Sequence, residues 1–361
     1  MNSKKLFLAT SAVAMVACSA TAMAQSSAST TAKIKNSQPG SNPGLQAGVL
    51  TVTTANNAAN LAGAIGSIAL GGNGVVAGGL NMKRFALANN GKTGAAAAPG
   101  GSPWNVWGAV SRSNVAYNFT PLQSSGKVEV FLAGVDYTLD NNMVIGLAVA
   151  RDDSDIDLTF SGGKLSGKGY TFSPYLGVPI NKNLAFDATL GFGRSDIDTQ
   201  VTGDGVAITG RTKNDRTIGT LGLTYRENIG ALTLSARGAY INVNDKLGAY
   251  VLSNRTLVAD GKVDLSQVRL TGQAAYTIDA FTPYVSLTYV NDIKRPDQAA
   301  MQVNSSGSFI SAANDRDAWT VGLGFRFMID RSVYGGFQYS TEKGRSEVKN
   351  DNYQFNVGAR F

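Results

Sequence analysis

Residues Tyr353 to Phe361 read Tyr-Gln-Phe-Asn-Val-Gly-Ala-Arg-Phe. Tyr353, Phe355, Val357, Ala359 and Phe361 are apolar, whereas Gln354, Asn356, Gly358 and Arg360 are polar or tiny. A repeat of two places the first set on one face of a β-strand and the second set on the other. The same alternation runs back to Trp104. Phe131, Ala133, Val135 and Tyr137 show it, then Met143 to Val149, Leu184 to Phe192 and Leu221 to Tyr225. It continues through Leu232 to Ala236, Val268 to Tyr276, Phe281 to Tyr289, Trp319 to Phe327 and Val333 to Tyr339. With the less regular stretches near Trp107 and from Tyr170 to Val178, residues 104–361 hold twelve segments, about 21 residues apart.

The connections alternate in length. Short ones fall at Leu139–Asn142, Pro179–Asn183, Glu227–Ala231, Ile278–Ala280 and Ile329–Ser332. Long polar ones fall at Arg112–Lys127, Arg151–Gly169, Arg194–Arg216, Asn242–Ser266, Asn291–Asp317 and Thr341–Asn352. Short turns at one end, long loops at the other and aromatic-flanked strands are the layout of an outer-membrane barrel. Only a closed sheet leaves no unpaired edge in lipid. The expectation is an all-β fold, a twelve-stranded antiparallel transmembrane β-barrel with both ends of the barrel chain on the periplasmic side. Pro174 removes a ladder hydrogen bond inside the fourth strand and predicts a bulge there.

A Lys or Arg facing lipid at mid-depth costs about 2–4 kcal/mol, so charges within strands should face the lumen. Arg237, Arg269, Arg326 and Arg360 fall on the polar face, with Asp136 and Asp187 as candidate acidic neighbours. Tyr and Trp near strand ends read as interface anchors.

The N-terminus has a different character. Lys4 and Lys5, an apolar run from Leu6 to Ala17 and Ala22-Met23-Ala24 predict a secretory signal peptide over 1–24. The run is too short to span a bilayer as a helix. Residues 25–103 form a second segment, carrying Lys33, Lys35, Lys83, Arg84 and Lys92 and no acid. Residues 104–361 balance 25 acids against 25 bases. Such dilute positive charge does not predict a nucleic-acid partner. Residues 25–54 read as linker, and apolar spacing predicts weak helices over 55–70 and 80–88. This partly helical, Gly/Ala-rich segment, with Lys83 and Arg84, is the candidate plug of the lumen.

The strand series resembles a known family. Phe131-Leu-Ala-Gly-Val-Asp-Tyr-Thr-Leu-Asp, Val144-Ile-Gly-Leu-Ala, Ser154-Asp-Ile-Asp, Gly169-Tyr-Thr-Phe-Ser-Pro-Tyr-Leu-Gly and Phe186-Asp-Ala-Thr-Leu-Gly-Phe-Gly look like successive strands of the autotransporter β-domain. The resemblance implies type V secretion: a barrel inserted through its C-terminal strand, with Tyr353, Phe355, Val357 and the terminal Phe361 as the assembly signal. Barrel-assembly machinery and periplasmic chaperones are the implied partners, with outer-membrane lipid around a monomer. An N-terminal passenger would cross the lumen and leave a linker helix behind; here 25–103 would make a short one. Self-cleaving members cut between paired Asn residues at positions that here hold Gly78-Gly79, so no autocleavage is expected.

The chain has no histidine, which excludes Ser-His or Cys-His catalysis and histidine-based metal sites. Asp152, Asp153, Asp155 and Asp157 suit a solvated loop better than a cation site. No catalytic residue, metal or cofactor is expected. Alternative roles are a small porin-like channel and a surface adhesin or immunogen acting through the long loops.

Overall fold

The computed structural model describes residues 103–118, 123–140, 142–159, 162–203, 206–294, 300–302, 309–311, 315–329 and 333–360. The signal peptide, the helices expected over 55–70 and 80–88, Lys83, Arg84, Gly78-Gly79 and Phe361 lie outside the described residues. Among the described residues no helix is long and apolar enough to cross a membrane.

The strands are β1 (Trp104–Tyr117), β2 (Ser124–Thr138), β3 (Val144–Leu158), β4 (Gly163–Pro179), β5 (Leu184–Gly203), β6 (Val206–Ile229), β7 (Leu232–Leu247) and β8 (Tyr250–Val251). They continue as β9 (Leu257–Val258), β10 (Gly261–Tyr276), β11 (Phe281–Lys294), β12 (Ala300–Gln302), β13 (Phe309–Ser311), β14 (Asp317–Met328), β15 (Val333–Lys343) and β16 (Val348–Arg360). Twelve of them close one antiparallel barrel in the order β1-β16-β15-β14-β11-β10-β7-β6-β5-β4-β3-β2. The seam joins first strand to last, from Asn105↔Arg360 to Tyr117↔Val348. β8–β9 and β12–β13 are two small ribbons set in connections.

The short turns have local causes. Asn142, Gly230 and Asp279 adopt positive φ (64°, 62° and 51°), which Gly, Asn and Asp tolerate best. Asn181 Oδ1 accepts from the backbone N–H of Asn183 and Leu184, tying the β4–β5 turn.

Most of the described residues in three expected long loops are instead strand. Within 112–127, 151–169 and 194–216 the described strands extend their hairpins well past the apolar band, so β5 and β6 reach 20 and 24 residues. Their polar residues misled loop assignment, but they alternate too, in opposite sense. Below, apolar side chains such as Phe131, Val149 and Phe192 point outward, while Asp136, Thr189, Asp187 and Gln354 point inward. Above, outward positions carry the ion pairs Lys164–Asp155, Arg194–Asp215 and Arg211–Asp198 (2.8, 2.7 and 2.5 Å). Inward positions there hold Val128, Val130, Ile156, Leu165, Ile197 and Val201, which cluster. The solvent of the outer face changes from lipid to water, and the pattern inverts with it.

Pro174 makes no bulge. Pairing to β5 skips Ser173 and Pro174 and resumes at Tyr175↔Thr189 in the same register as Phe172↔Phe192. The β3 side pairs without interruption through Leu147↔Pro174. The missing donor is absorbed as a local gap on one side of the ladder. A register shift does occur in β10, between Ser266 and Gln267.

Past β7 the outer edge of β6 loses its partner strand, and the 248–258 connection covers it. Gly248 and Ser253 donate backbone N–H to the carbonyls of Lys213 and Thr209, and Thr209 N–H reaches Ser253 Oγ. Tyr250, Leu252 and Val258 pack there with Ile208. A bare sheet edge is a template for unwanted pairing, and this loop blunts it.

Candidate functional site: the barrel lumen

The inner face near the short turns is built from adjacent strands that offer polar side chains at alternate positions. Arg237 on β7 grips Asp187 on β5 with both terminal nitrogens, at 2.5 and 2.9 Å, and also donates to Thr224 Oγ1 on the intervening β6. Asp187 is fully buried. This forked geometry supplies two parallel charge-assisted hydrogen bonds. Three strands on from β7, Arg326 on β14 donates to Gln273 Oε1 at 2.9 Å and lies 4.4 Å from the ring centre of Tyr284. Tyr284 in turn donates to Gln338 Oε1. Arg269 donates to Gln267 Oε1, and Gln267 Nε2 to Asp292.

Asp136 sits in a chain of hydrogen bonds that crosses the closing seam. Tyr334 on β15 donates to Asn105 Oδ1 on β1 at 3.0 Å, and Asn105 Nδ2 donates to Asp136 Oδ2 at 2.9 Å. Tyr175 donates to the same oxygen at 3.1 Å and accepts from Trp107 Nε1 at 3.0 Å. Space for these rings comes from glycines. Trp107, Tyr175, Tyr284 and Tyr334 stand directly across from Gly134, Gly146, Gly324 and Gly358. A Cβ on any of the four glycines would run into the facing ring.

Of the residues singled out in sequence, Asp136, Asp187, Arg237 and Arg326 come together at this end, and Arg269 lies further along β10. Arg360 holds its backbone place opposite Asn105. Tyr353, Phe355 and Val357 point outward on β16. Four inner aromatics correct the reading of Trp and Tyr as interface anchors: Trp107, Tyr175, Tyr284 and Tyr334 are buried in the lumen. Trp104, Tyr170 and Trp319 do lie outward. Sequence reading also missed two buried charge clusters. Arg216 bonds Asp245 at 2.7 Å beside Asp152, and Arg345 bonds Asp292 at 2.8 Å beside Glu342. Both clusters fall in stretches that read as polar loops, where charge carries no directional signal. Among the described residues no His/Cys/Asp/Glu group could hold a metal ion.

The sequence pattern of the autotransporter β-domain matches residues 101–340. The chain belongs to the autotransporter β-domain family. No curated protein matches it by sequence. Among solved structures, it is similar to the translocator domain of autotransporter NalP from Neisseria meningitidis, with TM-score 0.59 and 11% identity over 77% of this chain and 93% of that one. The β-domain of the Bordetella autotransporter Brka gives 0.60 and 13% over 72% and 100%. The transport unit of autotransporter AIDA-I from Escherichia coli gives 0.54 and 12% over 82% and 98%. At such identities the likeness is one of fold. As an autotransporter β-domain, this barrel is of bacterial outer-membrane type and serves type V secretion.

Proposed function

We propose that this barrel inserts through β16 and Phe361 and carries the segment before Trp104 through or in its lumen. The observation that supports this reading is where β1 starts. Trp104 begins at the short-turn end, and Pro103 C=O is held there by Thr138 N–H at 3.0 Å. A segment arriving at that rim faces a ring of buried polar and charged side chains, which suits a basic, acid-free stretch containing Lys83 and Arg84. The barrel acts as a monomer after signal-peptide removal, with barrel-assembly machinery and periplasmic chaperones as its transient partners. Its role is passage, and no bond is made or broken by its residues.

Surface labelling of a tag placed near Ser29 tests the reading directly. Labelling on intact cells is the expected result; a tag that reacts only after lysis would overturn it. Planar-bilayer conductance gives a second readout. Deleting residues 25–103 should raise conductance, whereas steady, equal conductance with and without them would favour a porin-like channel.

A further inference from the structure

The first charge encountered on the outer face beyond the apolar band differs around the barrel. On the neighbouring strands β3, β4 and β5 it is basic: Arg151, Lys168 and Arg194. Elsewhere both signs occur: Arg112 and Glu129 on β1 and β2, Asp215 and Lys246 on β6 and β7, Asp264 on β10, and Asp317, Lys343 and Asp351 on β14, β15 and β16. Three consecutive strands therefore carry basic residues at the lipid boundary, although the barrel domain as a whole is neutral.

Within that sector Arg151, Tyr170 and Arg194 are direct cross-strand neighbours. Strand spacing puts the two arginine backbones about 10 Å apart. Arg151 lies 5.9 Å from the Tyr170 ring centre, and Lys168 occupies the next outward position above that ring. Immediately below, Phe172 and Phe192 pair across β4 and β5 and face lipid. Arg194 also bonds Asp215, but both side chains are more than half exposed, and such pairs are worth only about 0–1 kcal/mol. Asp153 and Asp196 stand one outward position further from the lipid than Arg151 and Arg194, in the row of Lys168, which they flank. In the row of Tyr170, which is nearest the lipid, β3 to β5 carry only basic charge.

We propose that Arg151, Lys168 and Arg194 bind the phosphates of a phosphorylated, multiply acylated glycolipid of the outer leaflet, with its acyl chains on Phe172 and Phe192. Three cations spread about 10 Å around one ring match a headgroup bearing two phosphates better than one bearing a single phosphate. Aromatic side chains at the boundary anchor the interface, and each boundary Lys or Arg near an anionic lipid surface contributes about 1 kcal/mol. The site rests on the reading that the long-hairpin end faces outward. Ser253→Cys labelling on intact cells reports that orientation separately from lipid binding.

The test titrates the detergent-solubilised full chain with bisphosphorylated lipid A, dephosphorylated lipid A and phosphatidylglycerol. The native chain should prefer the bisphosphorylated lipid by about tenfold or more over each of the others. R151Q/K168Q/R194Q should lose about tenfold or more of that affinity, while K246Q/K262Q/K343Q, on other strands, should stay within about twofold. All variants are compared as heat-modifiable folded barrels; should the triple variant fail to fold, R151Q and K168Q replace it, each expected to lose about fivefold. Equal affinity for phosphorylated and dephosphorylated lipid, unchanged affinity in the basic-site variants, or equal binding of phosphatidylglycerol would each overturn the proposal.

Discussion

The Arg237–Asp187 pair shows what single residues contribute. Asp187 is fully buried, so removing its partner leaves a carboxylate with neither water nor cation, at a cost of about 3–5 kcal/mol. Arg237→Ala should therefore lower the urea midpoint of the folded barrel, and pairing it with Asp187→Asn should recover most of the loss. Equal midpoints for native and Arg237→Ala barrels would show that the pair is not buried as described. Glycine positions give a second test. Gly146→Val would force a side chain into the Tyr175 ring, an overpacking worth about 1–3 kcal/mol; Gly272→Ala, with nothing near, should be close to neutral in the same assay. The charged half of this site was legible in sequence because Arg237, Arg326, Asp136 and Asp187 interrupt apolar alternation. The aromatic half was not. Trp107 or Tyr175 becomes an inward residue only once a glycine is known to stand opposite, and that requires the register.

Among the elements, the β5–β6 hairpin departs furthest from the sequence reading. Its alternation was visible in Ser195, Ile197, Thr199 and Val201, but Asp196 and Asp198 between them pointed to a solvated loop. Both patterns belong to one strand whose outer face is wet. Asp198 lies fourteen residues beyond Leu184, about 46 Å along the strand and about 35 Å along the axis of a barrel with strands tilted by about 40°, and so clear of a band about 25 Å tall. Its hydrogen bonds from Arg211 hold the carboxyl below the usual aspartate range. A depressed folded-state value stabilises the hairpin above the unfolded value of about 3.9, and that support is lost as pH falls through the lower folded value. Hydrogen exchange over residues 194–216, corrected for intrinsic rate, should speed up as pH falls through and below that range. Asp198→Asn should remove the pH dependence. Exchange insensitive to both acid and substitution would mean that the pair contributes nothing to the ribbon.

For the whole molecule, closure is the property that strand counting could not supply. Twelve segments and alternating connections were readable because each strand is a local signal. The pairing of β1 with β16 joins residues nearly the full length of the domain apart, and no local pattern sets its register. Ala109 and Asn356 face each other across that seam, with α-carbons about 5 Å apart by strand geometry. Ala109→Cys with Asn356→Cys should therefore cross-link in the folded barrel and keep it compact in hot SDS until reduced. Failure to link would place the seam in another register or leave it open. The inversion of alternation along β2 to β5 has a consequence at this scale as well. Sliding the barrel outward by one pair of residues would lift Phe131, Val149 and Phe192 into water, and sliding it inward would drown Arg151 and Arg194 at about 2–4 kcal/mol each at full depth. The chain thus carries its own waterline, written strand by strand, and the bilayer has one height at which it floats.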